Sequence, residues 1–398
     1  MNQLNAKRPC GVWGLVTGAA AVIAVLALLF LVPTSPALLV DEPVKLFTLV
    51  SPQTLEAVSY GEMDIYFDPV GPAVTAYAVC IAAGAALAII LTALLAKLRG
   101  RCAVNGAALA LVSGAFGLVC SHLLFCAVRW SYIVNDLGST AAFLGQFWQG
   151  GYTMYGAILG GLLGALLYAK VRRQKVTEAL ELIVPGMLLL IACGRFGEQF
   201  TLQGVGSYRA AEALQGLPFT GLGEWGDPFL KVYAYEALIA AVAFIAALVL
   251  VICRAPWGRA AETGLAIVSV CQIMFESWRG DELIKFGFVC LNMLMAAAVL
   301  VFILATRIVR GVKQQGWKLW SILRIVLFVL GAGLVIFLEF GLDGKMGITI
   351  SNTILYGVQA VAIAMMGAAV IVQDGRTAAG ADAASATEES EEHVPVKD

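Results

Sequence analysis

Apolar residues fall along this chain in long runs separated by charge or by Gly and Pro, and ten such runs predict helices near 12–32, 70–95, 104–130, 152–171, 177–198, 232–253, 262–278, 286–307, 319–340 and 352–372. A single bilayer crossing takes about 20 mostly apolar residues, so each run is close to spanning length. A closed barrel is the other backbone-satisfying route through a membrane. Its strands would alternate apolar and polar positions, which stretches such as Ala19 to Val32 and Met295 to Ala305 do not. The predicted fold class is therefore all-α, a polytopic helical membrane protein of about ten transmembrane helices. Within the fourth run Gly156, Gly160 and Gly164 recur every four residues and place a stripe without side chains on one helix face, the pattern of close helix packing. Pro185 and Gly186 interrupt the fifth run, where a neighbour must satisfy the freed carbonyl.

Composition sharpens this picture. Of 398 residues 60% are hydrophobic and 13% charged, against about 25% charged in soluble domains, which excludes an ordinary soluble protein. The net charge of −1 conceals an uneven distribution of the 26 basic residues. With ten spans both termini return to one side. Lys7 and Arg8, the Lys97–Arg99–Arg101 loop, the Lys170–Arg172–Arg173–Lys175 loop, Arg254 with Arg259, and Arg307 to Lys318 then share a face. The excess of Lys and Arg predicts that this face is cytoplasmic, with both termini inside. The first run follows Lys7 and Arg8 and is expected to be an uncleaved anchor, since it is long enough to span and ends at Pro33 without a clear cleavage pattern. The nine cysteines form no CxxC pair and read as small core residues. The stretch after Arg376, rich in Ala, Ser and Glu, is expected to be a disordered cytoplasmic tail.

Ionisable side chains within or at the end of a span are costly and are functional candidates by default. Several converge on the outer half. Arg195 and Glu198 lie in GRFGEQF, followed by Gln203, Gly204 and Gly206; Glu276 and Arg279 close the seventh run; Tyr235 and Glu236 open the sixth; Tyr155 opens the fourth, and Tyr77 lies early in the second. Bland readings stand beside these. Glu276 and Arg279, three apart, could form a local ion pair. Asp281 and Glu282 read as a solvated loop, His122 beside Ser121 as a hydrogen-bonded packing residue, and Arg324 and Glu339 as snorkelling or interfacial groups. Arg195 resists such a reading, because Gly194 and Gly197 clear space around a guanidinium able to hold a phosphate or carboxylate.

The stretch FWQGGYTMYGAILGGLLGALLYAKVRRQ followed by VPGMLLLIACGRFGEQF resembles the central motifs of the prolipoprotein diacylglyceryl transferase family, and YAYEALIAAV and FESWRGDE resemble its later YEA and ExxR segments. The resemblance covers about residues 60 to 308 and implies a seven-helix core there, in a bacterial plasma membrane protein; outside it the apolar runs and composition leave an anchor helix and outer loop over 1–59, two additional transmembrane helices over 309–373, and the tail over 374–398. It implies transfer of a diacylglyceryl group from phosphatidylglycerol to the lipobox cysteine thiol of a prolipoprotein signal peptide, with release of glycerol phosphate.

By motif position, the resemblance implies that Arg195 contacts the lipid phosphate, that Tyr77 holds the family's tyrosine in the first core span, that Glu276 and Arg279 are its paired acidic and basic groups, and that Gly206 closes the signature region. Departures accompany these matches. Tyr155 stands where the family has histidine, Glu198 where it has asparagine, Gln203 in place of the signature glutamate, and Gln272 in place of an arginine. The candidate catalytic residues are thus Tyr155, Glu198 and Glu276, with Arg195, Tyr77, Arg279, Gly206 and Gln272 on the substrate. A tyrosine of reference pKa about 10 is a poor base at neutral pH, whereas Glu198 could accept a proton. Against that, its charge would repel a phosphate. Three readings follow: an active divergent transferase, a paralogue that binds phospholipid or precursor without turnover, and a small-molecule transporter. The last would carry an inverted internal repeat, and none is present. With two histidines, His122 and His393, and no nucleotide-binding glycine pattern, neither a metal nor another cofactor is expected, nor a nucleic-acid partner.

Overall fold

The computed structural model of the protein describes residues 11–31, 45–48, 57–60, 63–66, 73–130, 134, 151–200, 204–222, 226–280, 285–286, 289–345 and 350–371. Ten long helices occupy the described residues: α1 (Gly11–Leu31), α2 (Ala76–Leu98), α3 (Ala103–Val128), α4 (Met154–Val171), α5 (Val176–Gly197), α7 (Val232–Ile252), α8 (Arg259–Trp278), α9 (Leu291–Gln315), α10 (Leu319–Leu342) and α11 (Asn352–Ile371). One short helix, α6 (Tyr208–Ala213), lies between α5 and α7. The all-α membrane fold expected from the apolar runs is the fold observed, with nine of the long helices long and apolar enough to cross a membrane. The remaining one, α8, carries Glu262, Gln272 and Glu276. It can do so because protein surrounds it: its apolar face, Gln272 and Glu276 are covered by neighbouring helices, and the half-buried Glu262 pairs with Arg307.

Two helix starts differ from the apolar runs by more than three residues, each for a local reason. The second helix begins at Ala76 rather than 70, because Ala73–Thr75 pairs as a strand with Lys45–Thr48 and the Thr75 hydroxyl caps the helix by accepting from the Ala78 amide at 3.0 Å. The ninth helix begins at Leu291 rather than 286, because Lys285–Phe286 and Val289–Cys290 form a small hairpin. It then continues through Arg307, Arg310 and Lys313 to Gly316, since Arg307 finds Glu262 at 2.9 Å and the Val370 carbonyl.

Packing follows the small residues. A Cβ on Gly156 would stand 2.7 Å from Ser121 Cα, one on Gly160 2.6 Å from Cys120 Cβ, and one on Gly164 2.9 Å from Ser113 Cα, so the glycine stripe of α4 is where α3 lies against it. Helix α5 runs unbroken through Pro185, and Gly186 beside it meets α2 at Thr92 and Ala88.

The helix ends sort into two sets. At one end Arg101 pairs with Glu178 at 2.6 Å, Arg99 bonds the Ala255 carbonyl at 3.1 Å and covers the Trp257 ring, and Arg307 and Arg310 converge on Glu262. The basic loops thus share one face. Burial lowers the Arg99 guanidinium below its ordinary pKa, against the raising effect of Glu181. The Glu181 carboxylate, 3.6 Å from Arg99, accepts from the Gly258 and Ala260 amides at 2.9 and 3.0 Å and so satisfies the start of α8.

Candidate functional site

The opposite set of ends gathers a second charge cluster. Arg195 stands in the last turn of α5, and Glu198 opens the 3₁₀ turn that follows. Glu236 lies in the second turn of α7 from its start. Gln272 and Glu276 line the last two turns of α8, and Arg279 caps it in an extended conformation. Asn292 opens α9.

Arg195 bonds Glu198 through Nη1, approaches Glu236 Oε2 at 3.3 Å through Nε, and points Nη2 at the Met154 sulfur, 3.3 Å away. From the other side Arg279 Nη1 reaches Glu236 Oε2 at 2.6 Å and Glu198 Oε2 at 3.6 Å. Gln272 donates to Glu236 at 2.6 Å and to Glu276 at 2.8 Å, while Asn292 donates to Glu276 at 3.0 Å. All of the charged members are buried, Arg195 and Arg279 at 8% exposure and Glu276 at 1%. Charges so buried persist because each carboxylate faces a guanidinium or an amide donor.

Glu236, like Glu198, is shared by both arginines. The sequence named it among the outer ionisable groups but assigned it no role, although the YAYEA segment carries it. Asn292 and Met154 carried no signal at all, being ordinary residues in apolar runs.

Each proposed site residue has a place. Arg195, Glu198, Gln272, Glu276 and Arg279 are brought together. Tyr77, half-buried, faces the same end from α2, its ring packed against Gly197. Gly206 lies behind the cluster: its amide bonds the Leu230 carbonyl at 2.7 Å, its strand-like bridge runs beside Arg279, and Ser207 N bonds the Trp278 carbonyl at 2.7 Å. A Cβ on Gly206 would approach Leu230 Cβ to 2.9 Å, so glycine lets these segments meet and hold Arg279 in place. Gly204, at φ +71°, turns this segment under Glu198, whose carboxylate would collide with any Cβ there. Tyr155 is fully buried and directed at Ser269 of α8. His122 is likewise fully buried and contacts the Gly151 carbonyl at 3.1 Å, as a packing residue would. Gln203, Asp281, Glu282 and the tail lie outside the described residues.

Beside the cluster is a cavity of about 500 Å³. Its walls come from α1 to α5, with Leu28, Ile81, Leu118, Ile158 and Met187 among the apolar lining, and its polar end is formed by Tyr77, Tyr152, Arg195, Glu198, Arg279 and Asn292. Tyr155 does not line it, since its helix turns Met154, Ala157 and Ile158 to the cavity instead. An apolar chamber closed by two guanidiniums matches an amphiphile with an anionic head.

The sequence pattern that defines the prolipoprotein diacylglyceryl transferase family matches residues 65–310. Among curated relatives, a phosphatidylglycerol–prolipoprotein diacylglyceryl transferase of Acaryochloris marina is 32% identical over 103 residues, 26% of this chain and 35% of that protein. One from Listeria innocua is 23% identical over 206 residues, 50% of this chain and 72% of that protein. One from Clostridioides difficile is 27% identical over 89 residues, 22% of this chain and 34% of that protein. The matched part of the chain thus spans about a third of the first and third of these relatives and under three quarters of the second.

Proposed function

The chain belongs to the prolipoprotein diacylglyceryl transferase family, and from that premise we propose that it moves a diacylglyceryl group from phosphatidylglycerol to the cysteine thiol of a prolipoprotein signal peptide. The observation that carries this reading is the chamber of about 500 Å³ whose apolar walls end on Arg195, Arg279 and Tyr77. Acyl chains suit the walls and a phosphodiester suits the guanidiniums. On this reading lipid enters the chamber sideways between helices, and the basic residues at the Arg99 and Arg307 end support a cytoplasmic position for that face, with the site on the outer half.

In the reaction the peptide sulfur attacks the glyceryl carbon that bears the phosphate. The carbon–oxygen bond breaks as the carbon–sulfur bond forms, and the products are a thioether and glycerol phosphate. The thiol proton passes to a carboxylate and leaves on the phosphate. Arg195 and Arg279 hold the phosphate as negative charge develops on it. In the structure these guanidiniums are engaged by Glu198 and Glu236. An arriving phosphate therefore competes with Glu198, and the displaced carboxylate is then free to take the thiol proton. Glu276, held by Gln272 and Asn292, shapes the field around both arginines.

Incubating purified protein with phosphatidylglycerol and a lipobox peptide tests the reading. The expected result is a peptide mass gain of one diacylglyceryl group with equimolar glycerol phosphate. Glu198→Gln is expected to bind the lipid and lose transfer. Lipid binding by the wild type without any mass gain would replace the transferase reading with that of a binding paralogue.

A further inference from the structure

The helices α10 and α11 lie beyond the family match, which ends at residue 310, yet they reach the site. Glu339 of α10 does not snorkel as its position near a span end suggested. It is buried at 7% exposure, accepts from Ser277 Oγ of α8, and accepts from Gln359 Nε2 of α11 at 2.5 Å. Gln359 is itself fully buried and also reaches Ser277 Oγ at 3.1 Å. Ser277 is the neighbour of Glu276. A carboxylate and an amide buried between helices are costly unless hydrogen-bonded, and here Ser277 and the pair itself supply those bonds.

Beside these groups is a second cavity, of about 450 Å³, within the size range of small-ligand clefts. Ser207, Arg209, Ser277, Glu339, Asp343 and Tyr356 supply its polar lining, and the exposed Tyr208 and Arg209 stand at its rim. It differs from the lipid chamber in two respects. Its walls are polar and apolar in about equal measure, where those of the lipid chamber are mainly apolar, so acyl chains gain less there. Three carboxylate residues, Glu276, Glu339 and Asp343, oppose one arginine, although Asp343 also pairs with Lys345 at 2.6 Å. That balance repels a phosphate monoester and favours a neutral or cationic occupant rich in hydrogen-bonding groups.

The two cavities meet at one partition. Glu276 belongs to the wall of the second cavity, Asn292 to the wall of the lipid chamber, and the two are hydrogen-bonded to each other. We propose that the second cavity receives the polar stretch of the thiol-bearing polypeptide next to its acceptor cysteine, so that peptide and lipid approach the Glu276–Asn292 partition from opposite sides. This inference rests on the transferase reading for the identity of the polypeptide. On it, α10 and α11 are a substrate-binding addition to the family core.

Photo-crosslinking on the full-length protein tests it without requiring turnover. A lipobox peptide carrying a benzophenone residue just after the cysteine is expected to label residues 207–209, 339–343 or 356, and excess unlabelled peptide to suppress the labelling. Labels confined to other segments would overturn the proposal. Kinetics give a second arm, with Asp343→Arg at the partly exposed rim. For a peptide with a basic residue after its cysteine, KM for peptide is expected to rise about fivefold, with KM for phosphatidylglycerol unchanged. A fall in kcat with peptide KM unchanged would assign the cavity to the leaving group and also overturn it. If Asp343→Arg does not fold, Tyr208→Ala at the exposed rim serves for the same measurement, with the same two outcomes. Wild-type protein that crosslinks the peptide but transfers nothing would sink the transferase reading and leave this one standing.

Discussion

The two ends of the helix bundle carry similar chemistry and spend it differently. At the Arg99 end, arginines meet glutamates, but the carboxylates are used up on the fold: Glu181 accepts the Gly258 and Ala260 amides, and Glu262 ties α8 to α9. At the Arg195 end the charges are used on one another around an open chamber, with Glu236 shared between two arginines. Burial of charge is therefore common to both and identifies neither as a site. What separates them is where the hydrogen-bonding capacity goes. Groups that satisfy backbone at a helix start hold the chain in place, whereas side chains that satisfy one another at a cavity wall can exchange a partner for a ligand.

That contrast can be broken by substitution. Glu181→Ala leaves Arg99 in a poorly solvated place and two amides without an acceptor. The expected loss is about 3–5 kcal/mol of stability, read by thermal unfolding, with the specific activity of the folded fraction unchanged. A change in specific activity without loss of stability would erase the distinction between the ends. Arg195→Ala should do the reverse. Transfer falls by about 10²–10³-fold, the range for removing one donor to a developing anion, and equal turnover by variant and wild type would remove Arg195 from the site. Gly160→Val pushes α3 from α4 against Phe116 and Cys120. A loss of about 1–3 kcal/mol is expected, and a variant as stable as wild type would show that the stripe is not a packing surface. Least affected should be Arg101→Ala, whose side chain is 49% exposed: under about 1 kcal/mol and no change in turnover.

Much of the fold was legible because a spanning helix announces itself locally. The glycine stripe of α4 and the convergence of Arg195, Glu198, Glu276 and Arg279 at one end could likewise be read from spacing and sidedness. Three features could not. The hairpin before α9 is as apolar as the helix it precedes, so hydrophobicity could not separate them. Glu236 looks like any acidic residue near a helix start until both arginines are seen to face it. Glu339 was read as interfacial from its place near a span end, and only the arrival of Ser277 and Gln359 from other helices shows why it can be buried.

The sequence by itself determined the number of long helices among the described residues, their lengths to within a few residues, and which loops are basic. These depend on transfer energies that add along contiguous residues. The tertiary structure alone decided which charge meets which: Glu236 and Arg279 are 43 positions apart and close to 2.6 Å. Electrostatic energy depends on that separation in space, and nothing in the linear order of residues contains it.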